Sequence, residues 1–139
     1  MITDYEMEQI LKAGSFLEEK GYEAKVDEYG VDYSNGNIQF SFGYPPYENV
    51  SQASISFKGI NDLFDLGWIA FVREKVDVDA KKKLLNLLAI LEFVKGHYNE
   101  ITNYEYCRES RKLVDKYVEQ HRAEYEKAVQ DFLESCRKS

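Results

Sequence analysis

Residues 29–42 read Tyr-Gly-Val-Asp-Tyr-Ser-Asn-Gly-Asn-Ile-Gln-Phe-Ser-Phe. Tyr29, Val31 and Tyr33 alternate with small or polar residues, and Ile38, Phe40 and Phe42 do the same after Ser34-Asn35-Gly36-Asn37. Apolar residues at every second position mark a strand with one buried face. Asn-Gly between two such runs is the strongest short-range signal for a β-hairpin, because a type I′ turn needs φ > 0 at both central positions. This hairpin anchors the fold class.

On its N-terminal side Tyr22, Ala24 and Val26 alternate with charged residues as a further strand. Before them Met7, Ile10, Leu11, Gly14 and Leu17 share a helical face. Thr3 and Glu6 match a capping box at its start, and Gly21 fits its C-terminal stop. On the other side, Gly43–Asn49 holds Pro45 and Pro46, which cannot donate to a ladder, so it is a loop. Ser54–Phe57 resumes the alternation. Leu63–Val72 is nearly all apolar and is expected as a strand buried on both faces, pairing back on Ser51–Lys58; a buried helix is the alternative, which periodicity does not separate.

The helical period returns from Asp79. Leu84, Leu85, Leu87, Leu88, Ile90, Leu91 and Val94 form a wide apolar face ended by Gly96, with Lys81, Lys82 and Lys83 in a first turn where the helix dipole disfavours cations. Residues 97–139 contain neither Gly nor Pro. Leu113, Val114, Tyr117, Val118, His121, Tyr125, Ala128, Val129, Phe132, Leu133 and Cys136 recur at three- and four-residue spacing. This predicts one helix from about Asn103, or two broken near Glu119–Arg122. The spacing is nearer 3.6 than 3.5, which favours packing on the chain's own sheet over a coiled coil. Segregated strands and helices argue an α+β fold: an N-terminal helix, an antiparallel sheet of four to five strands over residues 22–72, and two to three C-terminal helices packed on one face. The 139 residues form a single domain, 1–139.

The net charge is −7, and it is unevenly placed. Residues 1–70 carry four bases against twelve acids, residues 71–139 fourteen against thirteen. Nucleic-acid binders carry a basic stripe, and this is the reverse. No apolar run approaches the ~20 residues of a membrane span, and the acidic N-terminus does not resemble a targeting segment. Cytoplasmic localisation is expected. Cys107 and Cys136 fall in the helical region, about 43 Å apart if the helix is straight, too far for a disulfide.

Catalytic and cofactor motifs are not found. Cys107 and His121 could pair as nucleophile and base, but both sit at core-like helical positions with no orienting third group. Metal-ligand spacings and phosphate-binding glycine loops are missing. No catalytic residue, metal or cofactor is therefore assigned, and the balance leans away from an enzyme.

One feature is not generic: acids interleaved with tyrosines through strands, turns and the proline loop. Asp27, Glu28, Tyr29, Asp32, Tyr33, Tyr44, Tyr47, Glu48, Asp62 and Asp65 form a candidate partner-binding set. Tyrosine offers large contact area with a polar tip, and acids around it steer a basic protein. The bland reading is that tyrosines fill the core and acids keep the sheet soluble. The expected function is non-enzymatic: an acidic protein that neutralises a basic protein partner, as immunity-type inhibitors of toxins or nucleases do. One alternative is a small-molecule site between the sheet and the Leu84–Val94 helix, walled by tyrosine and Trp68. The other is an oligomeric structural or regulatory module built on the C-terminal helix.

Overall fold

The chain begins with α1 (Asp4–Ala13) and the short α2 (Ser15–Glu19). The structure, a computed structural model, describes residues 1–138, with only the backbone of Lys138. The capping box is formed: the Glu6 amide donates to Thr3 Oγ1 and the Thr3 amide to Glu6 Oε1, each at 3.1 Å.

Five strands follow, β1 (Glu23–Asp27), β2 (Gly30–Ser34), β3 (Ile38–Gly43), β4 (Gln52–Phe57) and β5 (Leu63–Asp65). They form one antiparallel meander in chain order. The alternation decides which face is buried. Val31, Tyr33, Phe40, Phe42, Ala53, Ile55 and Phe64 point inward and are buried. The opposite face carries the cross-strand row Lys25, Asp32, Ser41, Ser54 and Asp65.

The predicted hairpin is β2–β3, but its turn differs. Gly36 has φ 89°, whereas Asn35 is not left-handed. Asn35 instead turns its side chain inward, and its Oδ1 accepts from the amides of Asn37 (2.9 Å) and Ile38 (2.8 Å). That satisfies the turn donors with one left-handed position in place of two.

Leu63–Val72 corrects the expectation of a long buried strand. Only Leu63–Asp65 pairs with β4, and α3 (Leu66–Glu74) begins at once. Asp65 is the switch, since its Oδ1 accepts from the Trp68 amide at 3.0 Å and caps the helix. The segment looks apolar all round because α3 is covered on several sides. Leu66, Ile69 and Ala70 are buried in the core, while Trp68 and Phe71 turn toward the C-terminal helix.

Next, α4 (Lys83–Gly96) starts after Lys81 and Lys82. The cation at its first position has a partner. Lys83 Nζ lies 5.3 Å from the centre of the Tyr44 ring, whose hydroxyl donates to Glu6 at 2.6 Å. Burial opposes ionisation of Glu6, but the bonds from Tyr44 and Thr3 outweigh it and hold its carboxyl below the usual range. Burial, with the Glu6 contact, raises the Tyr44 phenol.

After α5 (Tyr98–Ile101) the chain ends in one unbroken helix, α6 (Tyr104–Lys138), of 35 residues. Its first turns are held firmly. Cys107 and Ser110 are buried, Arg73 Nε donates to Ser110 Oγ at 2.9 Å, and Arg111 reaches Asp62 and the Leu63 carbonyl at 3.0 Å each. The expectation that its whole apolar stripe packs on the sheet is corrected: every residue from Val118 to Arg137 is exposed. A helix of about 52 Å outruns strands of about 20 Å, so periodicity predicted the stripe but not what covers it. Cys107 and His121 lie on this one helix, about 21 Å apart along its axis, which removes them as a pair. The Cys107 thiol donates to the Ile101 carbonyl, and burial pushes it up to about 12.

Candidate functional site

Two connections meet at one end of the sheet. In the β1–β2 turn, Asp27 Oδ1 accepts from the amides of Tyr29 (2.8 Å) and Gly30 (3.0 Å). This fixes the turn and leaves Tyr29 partly exposed at its tip. The β3–β4 loop lies beside it, tied on by the Tyr44 amide, which donates to the Tyr29 carbonyl at 2.7 Å. Pro45 and Pro46 stiffen the loop. Tyr47 is left-handed at φ 66°, an uncommon conformation for an aromatic residue, and its side chain is fully exposed. The Glu48 carboxylate accepts from the Gln52 side chain at 3.1 Å.

Between these turns the outer face is dented. Gly30 and Gly43 are paired across β2 and β3, and neither has a side chain to fill the space. The result is a depression of about 200 Å³, walled by Asp27, Tyr29 and Asp32 on one side and Tyr44 and Pro45 on another, with Ser41 and Ser54 in its floor. None of Asp27, Glu28, Asp32 or Glu48 forms an ion pair among the described residues. The charge on this edge is therefore presented to solvent.

The structure thus gathers part of the candidate set. Asp27, Tyr29, Asp32 and Tyr44 line the depression, and Glu28, Tyr47 and Glu48 stand on the two turns around it. The other three residues lie elsewhere or are already engaged. Tyr33 lies on the inner face and is fully buried, because it shares the parity of Val31. Asp65 shares the outer row with Asp32, but one of its oxygens caps α3. Asp62 is committed inside the molecule: Arg111 and the Tyr104 hydroxyl donate to it at 3.0 Å each, and these bonds hold its carboxyl low. Tyr44 lines the depression, yet it is 3% exposed and its hydroxyl is spent on Glu6, so it shapes the site more than it offers contact.

A second concavity of about 430 Å³ opens between β4, α3, α4 and the 76–80 segment. Trp68, Phe71 and Tyr117 form an aromatic wall with ring centres 4.9–6.1 Å apart. Asp65 and Asp77 stand among its lining residues, and Ser51 and Asn86 are its buried polar members, the Asn86 amide donating to Ser51 Oγ at 2.7 Å. The sequence pointed to Trp68 but not to Tyr117, Ser51 or Asn86. Asn86 had a signal, being the polar break in the apolar run Leu84–Val94. Among the described residues, no group of three or more His, Cys, Asp or Glu side chains is placed to hold a metal ion. No helix among the described residues is long and apolar enough to cross a membrane.

No protein-family model matches this chain, and no curated protein or solved structure matches it at a significant level.

Proposed function

We propose that this chain is a non-enzymatic acidic binding protein that docks a basic protein on the dented end of its sheet and neutralises it, as an immunity-type inhibitor of a toxin or nuclease would. The observation that carries this reading is the convergence of Asp27, Glu28, Asp32 and Glu48, without ion-pair partners among the described residues, around the exposed rings of Tyr29 and Tyr47. Unpaired carboxylates on one edge raise the local potential and speed encounter with a cation-rich surface. Tyrosines held on short turns add contact area at low entropic cost. The same reading places the protein in the cytoplasm.

The experiment is capture of a basic protein whose activity is lost on binding, followed by association kinetics. Changing Glu28, Asp32 and Glu48 together to lysine is expected to slow association by roughly 10–1,000-fold. Asp27 is left in place because it builds the turn. Association that ignores both this change and added salt would refute the electrostatic reading, since salt screens exposed charges.

The aromatic cleft supports a second reading, a binder of small cationic molecules. Aromatic faces and the Asp65 and Asp77 carboxylates suit an amine. Trp68 is the only tryptophan and lines the cleft, so its fluorescence should shift when organic amines are titrated in. A spectrum unmoved across such a series would remove this reading.

A further inference from the structure

The stripe left bare on α6 is the same stripe that holds its first turns to the body. Cys107, Ser110, Arg111 and Val114 lie on one face of the helix. At 100° per residue that face continues through Val118, His121, Tyr125, Val129, Phe132 and Cys136. The first four residues pack on the domain, and the rest run past it into solvent. Tyr125 is 72% exposed and Phe132 68%, with Leu133 and Trp68 each above 40%. Helices draw most of their stability from packing an apolar face, and about 30 Å of this one is exposed among the described residues.

We propose that a second copy of the chain covers this stripe, the two overhanging halves of α6 pairing antiparallel.

Area, charge and register support a second copy. At ~150–250 Å² for each aromatic side chain, the exposed parts of Tyr125, Phe132 and Trp68 with the neighbouring aliphatics offer on the order of 600 Å² per copy. Doubled on pairing, this is about 1,200 Å², the lower bound for a stable specific interface.

The charge of the overhang also suits self-pairing. Residues 115–138 carry five bases and six acids, against thirteen bases and nineteen acids in residues 1–114. The overhang is thus nearly neutral, and the acidic domains are what must be kept apart. Antiparallel pairing puts the two domains at opposite ends of the contact, whereas parallel pairing sets them side by side.

The register follows from centring the stripe, whose midpoint between Val118 and Cys136 is residue 127. Tyr125 then faces Val129 of the second copy, and Phe132 faces Arg122, a ring against a guanidinium. Glu126 falls level with Ala128 of the second copy. This interface does not rest on the sheet-face reading of function and uses none of its residues.

The test is the mass of the full chain in solution by sedimentation equilibrium, expected at twice the 16.3 kDa of one chain at micromolar concentration. Tyr125→Glu with Phe132→Glu is expected to weaken self-association by roughly 100-fold or more. Amide-exchange protection of the β-sheet should stay unchanged in that variant, because both positions lie on the exposed overhang. The arrangement is read by mild oxidation. Val118→Cys should cross-link to Cys136 of the second copy, while the native chain should not. A monomer throughout the micromolar range overturns the proposal. Rapid Cys136-to-Cys136 cross-linking in the native chain overturns the antiparallel arrangement. A foreign protein that binds the monomer and is lost with the same double substitution makes that protein the occupant instead.

Discussion

Replacing Gly14 by alanine is expected to lower stability by about 1–3 kcal/mol, and replacing Tyr33 by phenylalanine in the same chain should restore part of it. Gly14 joins α1 to α2 directly beneath the sheet. A Cβ built there would stand 2.4 Å from the Tyr33 hydroxyl oxygen and 2.9 Å from Cζ of the same ring. The ring has little room to move, since it is fully buried in the second strand with Phe42 at 6.1 Å between ring centres. Its hydroxyl is also the one buried side-chain polar atom without a hydrogen-bond partner among the described residues. Burial, with a smaller contribution from Glu18, pushes that phenol up to about 12. Tyr33→Phe alone should therefore be neutral or stabilising by about 1 kcal/mol, because the lost hydroxyl leaves no partner behind. The two sites touch, so the double variant should deviate from additivity by about 0.5–3 kcal/mol. Urea denaturation of the four chains measures this. A Gly14→Ala chain as stable as the parent would show that α1 and α2 can shift away from the sheet.

How much of this was legible in the sequence depended on whether the deciding signal was local. The hairpin, the inward set Val31, Tyr33, Phe40 and Phe42, and the Thr3–Glu6 cap follow from two- to four-residue patterns, and the structure carries them. Leu63–Val72 was ambiguous because an all-apolar run has no period to read. The informative residue was Asp65, three before Trp68, which serves as a cap only if a helix follows. The overhang of α6 was invisible for a different reason: a stripe tells that a face is apolar, not which surface meets it. The acids and tyrosines of the two connections, Asp27, Tyr47 and Glu48, could be picked out from the sequence. Alternation, however, gave Tyr29 the parity of the buried Val31 and Tyr33, and only its place at the tip of the turn leaves it 37% exposed. The candidate site was not legible for Asp62, whose partner Arg111 is 49 residues away. Nor could the sequence show that Tyr44 spends its hydroxyl on Glu6, 38 residues earlier.

Gly43 links the fold to the proposed docking surface, and Gly43→Ala is expected to destabilise by about 3 kcal/mol. A Cβ at Gly43 would lie 2.4 Å from the Tyr29 carbonyl oxygen and 3.2 Å from the Gly30 Cα. The reciprocal change is no easier, since a Cβ at Gly30 would lie 2.3 Å from the Phe42 carbonyl oxygen. Both obstructions are backbone, so no side-chain rotation relieves them. The Tyr29 carbonyl is also the acceptor for the Tyr44 amide, the bond that holds the β3–β4 loop against the β1–β2 turn. Forcing the carbonyl away would separate the turn bearing Asp27, Glu28 and Tyr29 from the loop bearing Tyr47 and Glu48. The variant should thus lose affinity for the basic partner even after correction for its unfolded fraction. Gly36→Ala is the control. Gly36 sits at φ 89° with open space around it, so it should lose only the ~1–2 kcal/mol of left-handed strain and keep its affinity. Thermal melts of both variants, with titrations on the folded fraction, separate the two effects. Equal affinity in the two variants would mean that the partner does not need the two turns held together.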